Sequence, residues 1–212
     1  MILAVVLAVG IGYVSGALPW GLWLGRWVRG VDVRTMGSRN LGATNVYRSL
    51  GPALGILTLL LDIAKGAVPV ALVPGLAATQ AFPGGRTWCM MAVAVAAVAG
   101  HVWTCFAGFR GGKGVATTVG VLLAMAPIAF GVFAAVFVLT VALTRFISLG
   151  SVLGSIAFVV ALGWTAAGGV RSPSFIVGTV LALLVIVRHR ENLVRLARGT
   201  ERRFSFSGGR DS

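Results

Sequence analysis

Apolar segments long enough to cross a membrane alternate along this chain with short clusters of arginine and lysine. Residues 1–24, 54–74 and 87–106 are three of these segments. A helix needs about 20 apolar residues to span the hydrocarbon core of a bilayer, so each segment is of spanning length. Only 11% of the residues are charged, well below the roughly 25% of soluble domains. The sequence therefore predicts an all-α integral membrane protein.

The clusters of basic residues give the chain a formal net charge of +13. A nucleic-acid partner is not expected, because the basic residues stand between the apolar segments and no aromatic platform for bases accompanies them. We interpret the clusters as the positive-inside signal of cytoplasmic loops in contact with membrane lipid. Cys89 and Cys105 have neither CxxC spacing nor a third ligand nearby, so they indicate no metal or redox site.

The segment from residue 115 to 143 decides the expected number of spans. As one helix it gives six spans and leaves the basic residues 188–203 outside, against the positive-inside rule. Pro127 predicts a break instead, because proline ends or kinks a helix at the residue before it. We therefore expect about seven transmembrane helices, with the N-terminus outside and the C-terminus in the cytoplasm. They form a single domain over residues 1–203, followed by a flexible polar tail over residues 204–212.

A glycine-rich loop between two apolar segments is the first candidate site. Residues 108–118 read Gly-Phe-Arg-Gly-Gly-Lys-Gly-Val-Ala-Thr-Thr. Successive glycine N–H groups around Lys113 are typical of loops that hold phosphate. The loop is not a nucleotide P-loop, because Gly114 follows the lysine where Ser or Thr is required. A flexible basic turn between two membrane helices explains the same residues without a ligand.

A second polar segment follows the first apolar segment and is too long for a simple connection. Residues 37–48 hold four serine, threonine or asparagine side chains and two arginines, and a Gly51-Pro52 break follows. The four are Ser38, Asn40, Thr44 and Asn45. Such groups can bind a phosphate and orient a hydroxyl, and they can equally act as ordinary caps in a basic loop.

Two ionisable positions lie within the apolar segments. Asp62 and Lys65 are three residues apart and so share a helix face, where each neutralises the other. We interpret them as a structural pair. His101 lies just before the glycine-rich loop, and the sequence leaves open whether it is a base, a substrate ligand or a packed histidine.

The last third of the chain adds two polar groups of residues. Ser148 and Ser151 follow Arg145 at the start of an apolar segment, where they either meet a ligand or cap the helix. His189 and Asn192 are three residues apart and lie on one face of a basic helical extension. Glu191 is four residues before Arg195, which predicts an ion pair within that helix.

Taken together, three of these segments resemble the motifs of the bacterial acyl-phosphate:glycerol-3-phosphate acyltransferases. They are Gly37 to Arg48, Gly100 to Thr118 with its Gly-His, and Arg188 to Asn192. The resemblance holds in order and spacing over almost the whole chain, and it includes Asp62 to Gly66 and Ser148 to Ser151.

This resemblance implies an enzyme of the bacterial inner membrane with its active site facing the cytoplasm. It would move a fatty acyl group from acyl phosphate to the 1-hydroxyl of glycerol 3-phosphate, giving lysophosphatidic acid and phosphate, the first acylation of phospholipid synthesis. No cofactor, metal or protein partner is implied. The catalytic residues would be Ser38, His189 and Asn192. The substrate-binding residues would be Asn40, Thr44, Asn45, Arg48, Gly111, Gly112, Lys113, Gly114, Ser148 and Ser151, and Glu191 matches a structural glutamate.

One position departs from the family's pattern. The family usually has glycine between the serine and the asparagine of the first motif, where this chain has Arg39. A glycine adopts positive φ readily and an arginine resists it, so the backbone next to Ser38 is where we expect a difference.

Two other functions fit parts of the sequence. A transporter of a small phosphorylated anion would also need a basic site among helices, but the polar residues here gather at one membrane surface, and the sequence has no internal repeat. A metal-dependent phosphotransferase would need clustered carboxylates, and Asp32, Asp62 and Glu191 are scattered along the chain.

Overall fold

A computed structural model describes residues 1–204, and all regular secondary structure in that range is helical. The helices form two compact units, the first comprising Met1–Ala124 and the second beginning at Met125. The single domain expected over residues 1–203 stays a prediction. Of the expected tail, residues 205–212 lie outside the described range.

Among the described residues, six α-helices belong to the first unit, the last of which ends one residue beyond it. They are α1 (Ile2–Ala17), α2 (Trp20–Arg29), α3 (Ala43–Leu50), α4 (Pro52–Leu72), α5 (Gly85–Val102) and α6 (Val115–Met125). The apolar segment 1–24 is not one straight helix, because α1 ends before Pro19 and α2 leaves it at an angle of 40°. Proline disfavours the helical conformation of the residue before it, and Leu18 accordingly has ψ 111°.

Glycines let the helices of this unit approach one another closely. Gly16 of α1 lies against the backbone of Ala97 in α5, where a Cβ atom would collide with the carbonyl group. Gly66 of α4 lies against the Thr117 carbonyl oxygen, and Gly120 of α6 lies against that of Ile63. Small residues at helix contacts are the usual means of close packing inside a membrane, where no hydrophobic driving force operates between helices.

A small apolar cluster fixes the long loop between α2 and α3. It consists of Leu22, Val33, Leu41, Val46 and Ala107, all buried. Because this cluster joins α2, the loop, α3 and the short 3-10 helix Cys105–Ala107 that follows α5, it holds the first polar segment close to the residues that precede the glycine-rich loop.

The second unit contains four α-helices. They are α7 (Pro127–Thr144), α8 (Ile147–Thr165), α9 (Pro173–Arg188) and α10 (Arg190–Ala197). Gly150 and Gly154 of α8 pack on Phe137 and Phe133 of α7. The chain bends by 51° at His189, between α9 and α10.

Within residues 1–204, four helical segments are long and apolar enough to cross a membrane: Pro52–Gly75, Gly85–Ala107, Pro127–Thr144 and Ile147–Thr165. The number rises to 6 if each of two bent pairs, α1 with α2 and α9 with α10, is one span. The expected break before Pro127 is confirmed, and it leaves α6 with only 11 residues. An all-α membrane protein is thus confirmed, whereas seven spans and the sides of the termini stay predictions.

Candidate active site

The side chain of Asn45 fixes the conformation of the first polar segment, residues 37–48. Its side-chain nitrogen donates to the carbonyl oxygens of Val33, Met36 and Asn40 at 3.0, 3.2 and 2.9 Å. Its side-chain oxygen accepts from the N–H of Ser38 at 2.8 Å. The amide of Asn45 is therefore engaged by the loop itself, which makes it a support for Ser38.

The other candidates of this segment surround the start and end of α3. Asn40 accepts from the N–H of Gly42 at 2.8 Å, a turn that leads into α3. Thr44 lies in the first turn and Arg48 in the last, both half-buried, whereas Ser38 is exposed. The hydroxyl of Ser38 is thus presented at the surface of a loop whose backbone is fixed from beneath.

Arg39 adopts the left-handed conformation, with φ 58°. This is the position at which the family resemblance leads us to expect glycine. The arginine adopts here a conformation that disfavours a residue with a Cβ atom.

The glycine-rich loop returns to the end of α5. The N–H of Gly111 donates to the Val102 carbonyl oxygen at 3.1 Å, and that of Gly112 donates to the His101 carbonyl oxygen at 3.2 Å. We expected the glycine N–H groups of this loop to converge on one anion. For Gly111 and Gly112 this expectation is corrected, because both N–H groups face α5. Lys113 and Gly114 follow directly and lead into α6.

The first turn of α6 is the part of this loop that is suited to an anion. A helix leaves its first N–H groups without partners inside the helix, and its N-terminus carries a partial positive charge. The hydroxyl oxygen of Thr118 is buried beside it and makes no hydrogen bond within residues 1–204. Gly114 precedes this turn with φ 84°, a conformation that favours glycine.

A network of buried polar side chains lies below the loop. Lys65 Nζ is 2.8 Å from Asp62 Oδ1, and the two side chains are 4% and 2% exposed. Lys65 also donates to the Leu18 carbonyl oxygen at 2.7 Å, where α1 ends. The expected pairing of Asp62 with Lys65 is present, and it ties α4 to the break between α1 and α2.

His101 belongs to the same network. Its Nδ1 lies 3.0 Å from the hydroxyl oxygen of Thr117 and 3.9 Å from Asp62 Oδ1. His101, Asp62, Lys65 and Gly112 are among the residues that line a small cavity, which has room for about one water molecule.

In the second unit, three polar side chains meet at Glu201. Ser148 and Asn192 donate to one carboxylate oxygen at 2.7 and 2.6 Å, and Arg195 donates to the other at 2.8 Å. Burial raises the pKa of Glu201, but the hydrogen bonds from Asn192, Ser148 and Arg195 outweigh it, so the pKa lies below its usual value. The carboxylate therefore fixes Ser148 and Asn192 side by side.

The sequence analysis did not identify Glu201, and its predicted ion pair between Glu191 and Arg195 is wrong. Arg195 pairs with Glu201 and not with Glu191, which is exposed. The signal for this residue was a single acidic side chain within the strongly basic segment Arg195 to Arg203. The chain after Gly199 also contacts the start of α8, since the N–H of Phe204 donates to the Arg145 carbonyl oxygen at 2.6 Å.

His189 lies at the bend between α9 and α10 and is buried. Its Nδ1 is 2.8 Å from the Val185 carbonyl oxygen. A carbonyl oxygen only accepts, so Nδ1 carries the proton and Nε2 is the basic nitrogen of the neutral ring. Ser151 is less available, because its hydroxyl donates to the Ile147 carbonyl oxygen at 2.9 Å in the preceding turn of α8.

Comparison with known proteins places this site in context. Residues 6–199 match the family model described as glycerol-3-phosphate acyltransferase. The glycerol-3-phosphate acyltransferase of Desulforudis audaxviator is 41% identical, over 96% of this chain and 98% of its own. That of Geobacter sulfurreducens is 46% identical, over 92% of this chain and 94% of its own.

Solved structures agree with the sequence relatives. The crystal structure of PlsY, an integral membrane glycerol 3-phosphate acyltransferase in its glycerol 3-phosphate form, has a TM-score of 0.83 and 34% identity, and the match covers 95% of this chain and 96% of that one. Its lysophosphatidic acid form has a TM-score of 0.81 with 33% identity, covering 96% of this chain and 97% of that one. On the family model, the sequence relatives and these structures, the chain belongs to the glycerol-3-phosphate acyltransferase family.

Proposed function

We propose that this protein transfers a fatty acyl group from acyl phosphate to the 1-hydroxyl of glycerol 3-phosphate, giving lysophosphatidic acid and phosphate. The observation that carries the proposal is the match of nearly the whole chain to two structures of one enzyme, which bear a substrate and a product of this reaction in their names. The reaction takes place at the cytoplasmic face of the bacterial inner membrane, where glycerol 3-phosphate is dissolved and the acyl chain lies among apolar helices.

The reaction requires the enzyme to position the substrates more than to activate them. The hydroxyl oxygen of glycerol 3-phosphate attacks the acyl carbon, an ester bond forms, and the bond from that carbon to the phosphate oxygen breaks. Phosphate is a good leaving group, so no acylated serine or cysteine is needed. What the protein supplies is a fixed hydroxyl, stabilisation of the developing oxyanion and positive charge for two phosphates.

We assign the roles as follows. Arg48 and Lys113 neutralise phosphate, with the first turn of α6 and the Thr118 hydroxyl as further donors. Ser38 and Asn192 orient polar groups of the substrates. The proton of the attacking hydroxyl goes either to Nε2 of His189 or to a substrate phosphate, and no protein proton relay is needed in the second case.

The test is phosphate release by the purified protein with palmitoyl phosphate, in the presence and absence of glycerol 3-phosphate. We expect release that requires both substrates, together with formation of lysophosphatidic acid. Lys113→Ala should raise the KM for glycerol 3-phosphate, whereas Arg171→Ala removes the same charge from an exposed outer turn and should change nothing. Folded protein that releases no phosphate would refute the proposed reaction. Lysophosphatidic acid formed from palmitoyl-CoA and glycerol 3-phosphate, but not from palmitoyl phosphate, would refute the proposed donor.

A further inference from the structure

His101 contacts the glycine-rich loop on both of its sides. Its carbonyl oxygen accepts the N–H of Gly112, within the loop. Its ring Nδ1 is 3.0 Å from the hydroxyl oxygen of Thr117, in the first turn of the helix that follows the loop. Because the side chain is only 6% exposed, both contacts are held inside the protein.

The imidazole also explains why residue 112 is glycine. A Cβ atom at this position would collide with Nε2 of His101, and the next two atoms it would meet belong to the same ring. Gly112 is not among the glycines with positive φ, so alanine suits its backbone. The ring of His101 is therefore what excludes a larger residue, and Gly112 rests directly on it.

The buried ion pair fixes this ring from the other side. Asp62 Oδ1 is 3.9 Å from Nδ1 of His101 and 2.8 Å from Lys65 Nζ. Lys65 is held in turn by the Leu18 carbonyl oxygen. The ring is thus enclosed by α4, the start of α6 and the loop itself, which leaves it one orientation.

We propose that His101 is a positioning residue that sets the glycine-rich loop, and through it Lys113, in the geometry that binds the phosphate of glycerol 3-phosphate. The inference rests on the proposed role of Lys113 in that binding. Its consequence is specific: a change at residue 101 weakens binding of glycerol 3-phosphate and leaves binding of the acyl donor and the chemical step largely intact.

The first experiment compares His101→Ala with His101→Asn. Asparagine keeps a hydrogen-bonding group near Nδ1 for Thr117, and alanine keeps none. We expect His101→Ala to raise the KM for glycerol 3-phosphate at least about tenfold, which corresponds to about 1.4 kcal/mol, with an unchanged KM for palmitoyl phosphate. Asparagine should recover a large part of this loss. An unchanged KM for glycerol 3-phosphate, or a loss confined to kcat, would overturn the inference.

A double-mutant cycle tests the contact between the ring and Gly112, and it remains informative if His101→Ala does not fold. In the wild-type background Gly112→Ala forces the loop off the ring and should raise the KM for glycerol 3-phosphate. In the His101→Asn background the space taken up by the Nε2 side of the imidazole is vacant. Gly112→Ala should therefore raise the KM for glycerol 3-phosphate by a factor about tenfold smaller than in the wild-type background. Additive effects of the two substitutions would refute the contact.

Lys113→Ala, measured in parallel, separates the two proposals. If it leaves the KM for glycerol 3-phosphate unchanged, the loop does not bind that substrate, and the proposed site fails whatever His101 does. If it raises this KM while His101→Ala does not, the proposed site stands and the inference about His101 alone is wrong.

Discussion

At the scale of single residues, Arg39 shows how a side chain can occupy a place suited to glycine. Its φ of 58° lies in the left-handed region, where a residue with a Cβ atom costs about 1–2 kcal/mol. The Ser38 N–H bond to Asn45 and the turn at Asn40 hold the neighbouring backbone. The surrounding loop therefore imposes this conformation on the arginine.

We predict that Arg39→Gly stabilises the protein. Glycine removes the steric cost, but it loses more backbone entropy on folding, by roughly 0.5–1 kcal/mol, so we expect a net gain of about 0.5–1 kcal/mol. Thermal unfolding in detergent should show a melting temperature that rises for glycine. Arg39→Ala removes the same charge and keeps the steric cost, and a rise of equal size in that variant would show that charge and not conformation is responsible.

At Glu201 the surroundings stabilise the side chain instead of straining it. Three hydrogen-bond donors favour the charged form of its carboxyl group. We predict that Glu201→Gln lowers the free energy of unfolding by about 1.5–3 kcal/mol, the range for hydrogen bonds to charged groups. A neutral amide has only one acceptor oxygen, so either Arg195 or the pair Ser148 and Asn192 faces its NH2 group, and we expect activity to fall. Glu191→Gln is the matched control on an exposed carboxylate and should have little effect. Equal effects of the two substitutions would contradict a special role for Glu201.

The pH dependence of stability follows from the lowered pKa of Glu201. A carboxyl group whose pKa is lower in the folded protein adds stability above its unfolded value, about 4.3 for glutamate, and loses it as the pH falls through the folded value. We therefore expect the difference in melting temperature between wild type and Glu201→Gln to be constant near neutral pH and to shrink below about pH 4.3. A difference that stays constant through the acid range would mean that the carboxylate is not the source.

The residue contacts that sequence reasoning found are local ones. Asp62 and Lys65 were predictable because helix periodicity places residues three apart on one face. Glu201 was not, because it meets Ser148 across 53 residues of chain. The hydrogen bonds from the N–H groups of Gly111 and Gly112 to α5 were equally unpredictable, since they depend on the path by which the loop returns to the end of that helix.

At the scale of helices, the breaks follow proline where proline is present. Pro127 was recognised and begins α7, whereas Pro19 divides a segment that reads as one apolar run. The bend at His189 has neither proline nor glycine beside it, so no sequence rule indicated it. Length and hydrophobicity predict that helices form, but tertiary contacts decide where these two bend.

Two glycine substitutions separate close helix packing from helix propensity. We predict that Gly120→Ala destabilises the protein, because a Cβ atom would collide with the Ile63 carbonyl oxygen in α4. Gly131→Ala in α7 meets nothing within 4 Å and should stabilise its helix by up to about 1 kcal/mol. Melting temperatures in detergent would show opposite shifts, and two shifts of the same sign would contradict this account.

At the scale of the whole molecule, the number of membrane crossings determines on which side of the membrane each loop lies. Seven spans place Arg86 and Arg171 on the same outer side, whereas six spans place them on opposite sides. Both side chains are exposed. These two positions therefore distinguish the two topologies directly.

We predict that Arg86→Cys and Arg171→Cys, each in a chain with Cys89 and Cys105 replaced by serine, react with a membrane-impermeant maleimide applied to intact spheroplasts. Arg198→Cys should react only after lysis, because its segment is expected in the cytoplasm. Retained acyltransferase activity would show that each variant is folded. Reaction of only one of the first two positions would favour six spans.

The residues of the polar cluster in the second unit, Ser148, Asn192 and Glu201, are translated in a fixed order. Ser148 and Asn192 are translated before Glu201, and Ser148 precedes it by 53 residues. A nascent chain that has already threaded α7 and α8 into the membrane therefore lacks the carboxylate that joins these side chains. We therefore expect a chain that ends before residue 201 to retain α7 and α8 but to lack the contacts that join Ser148 to Asn192.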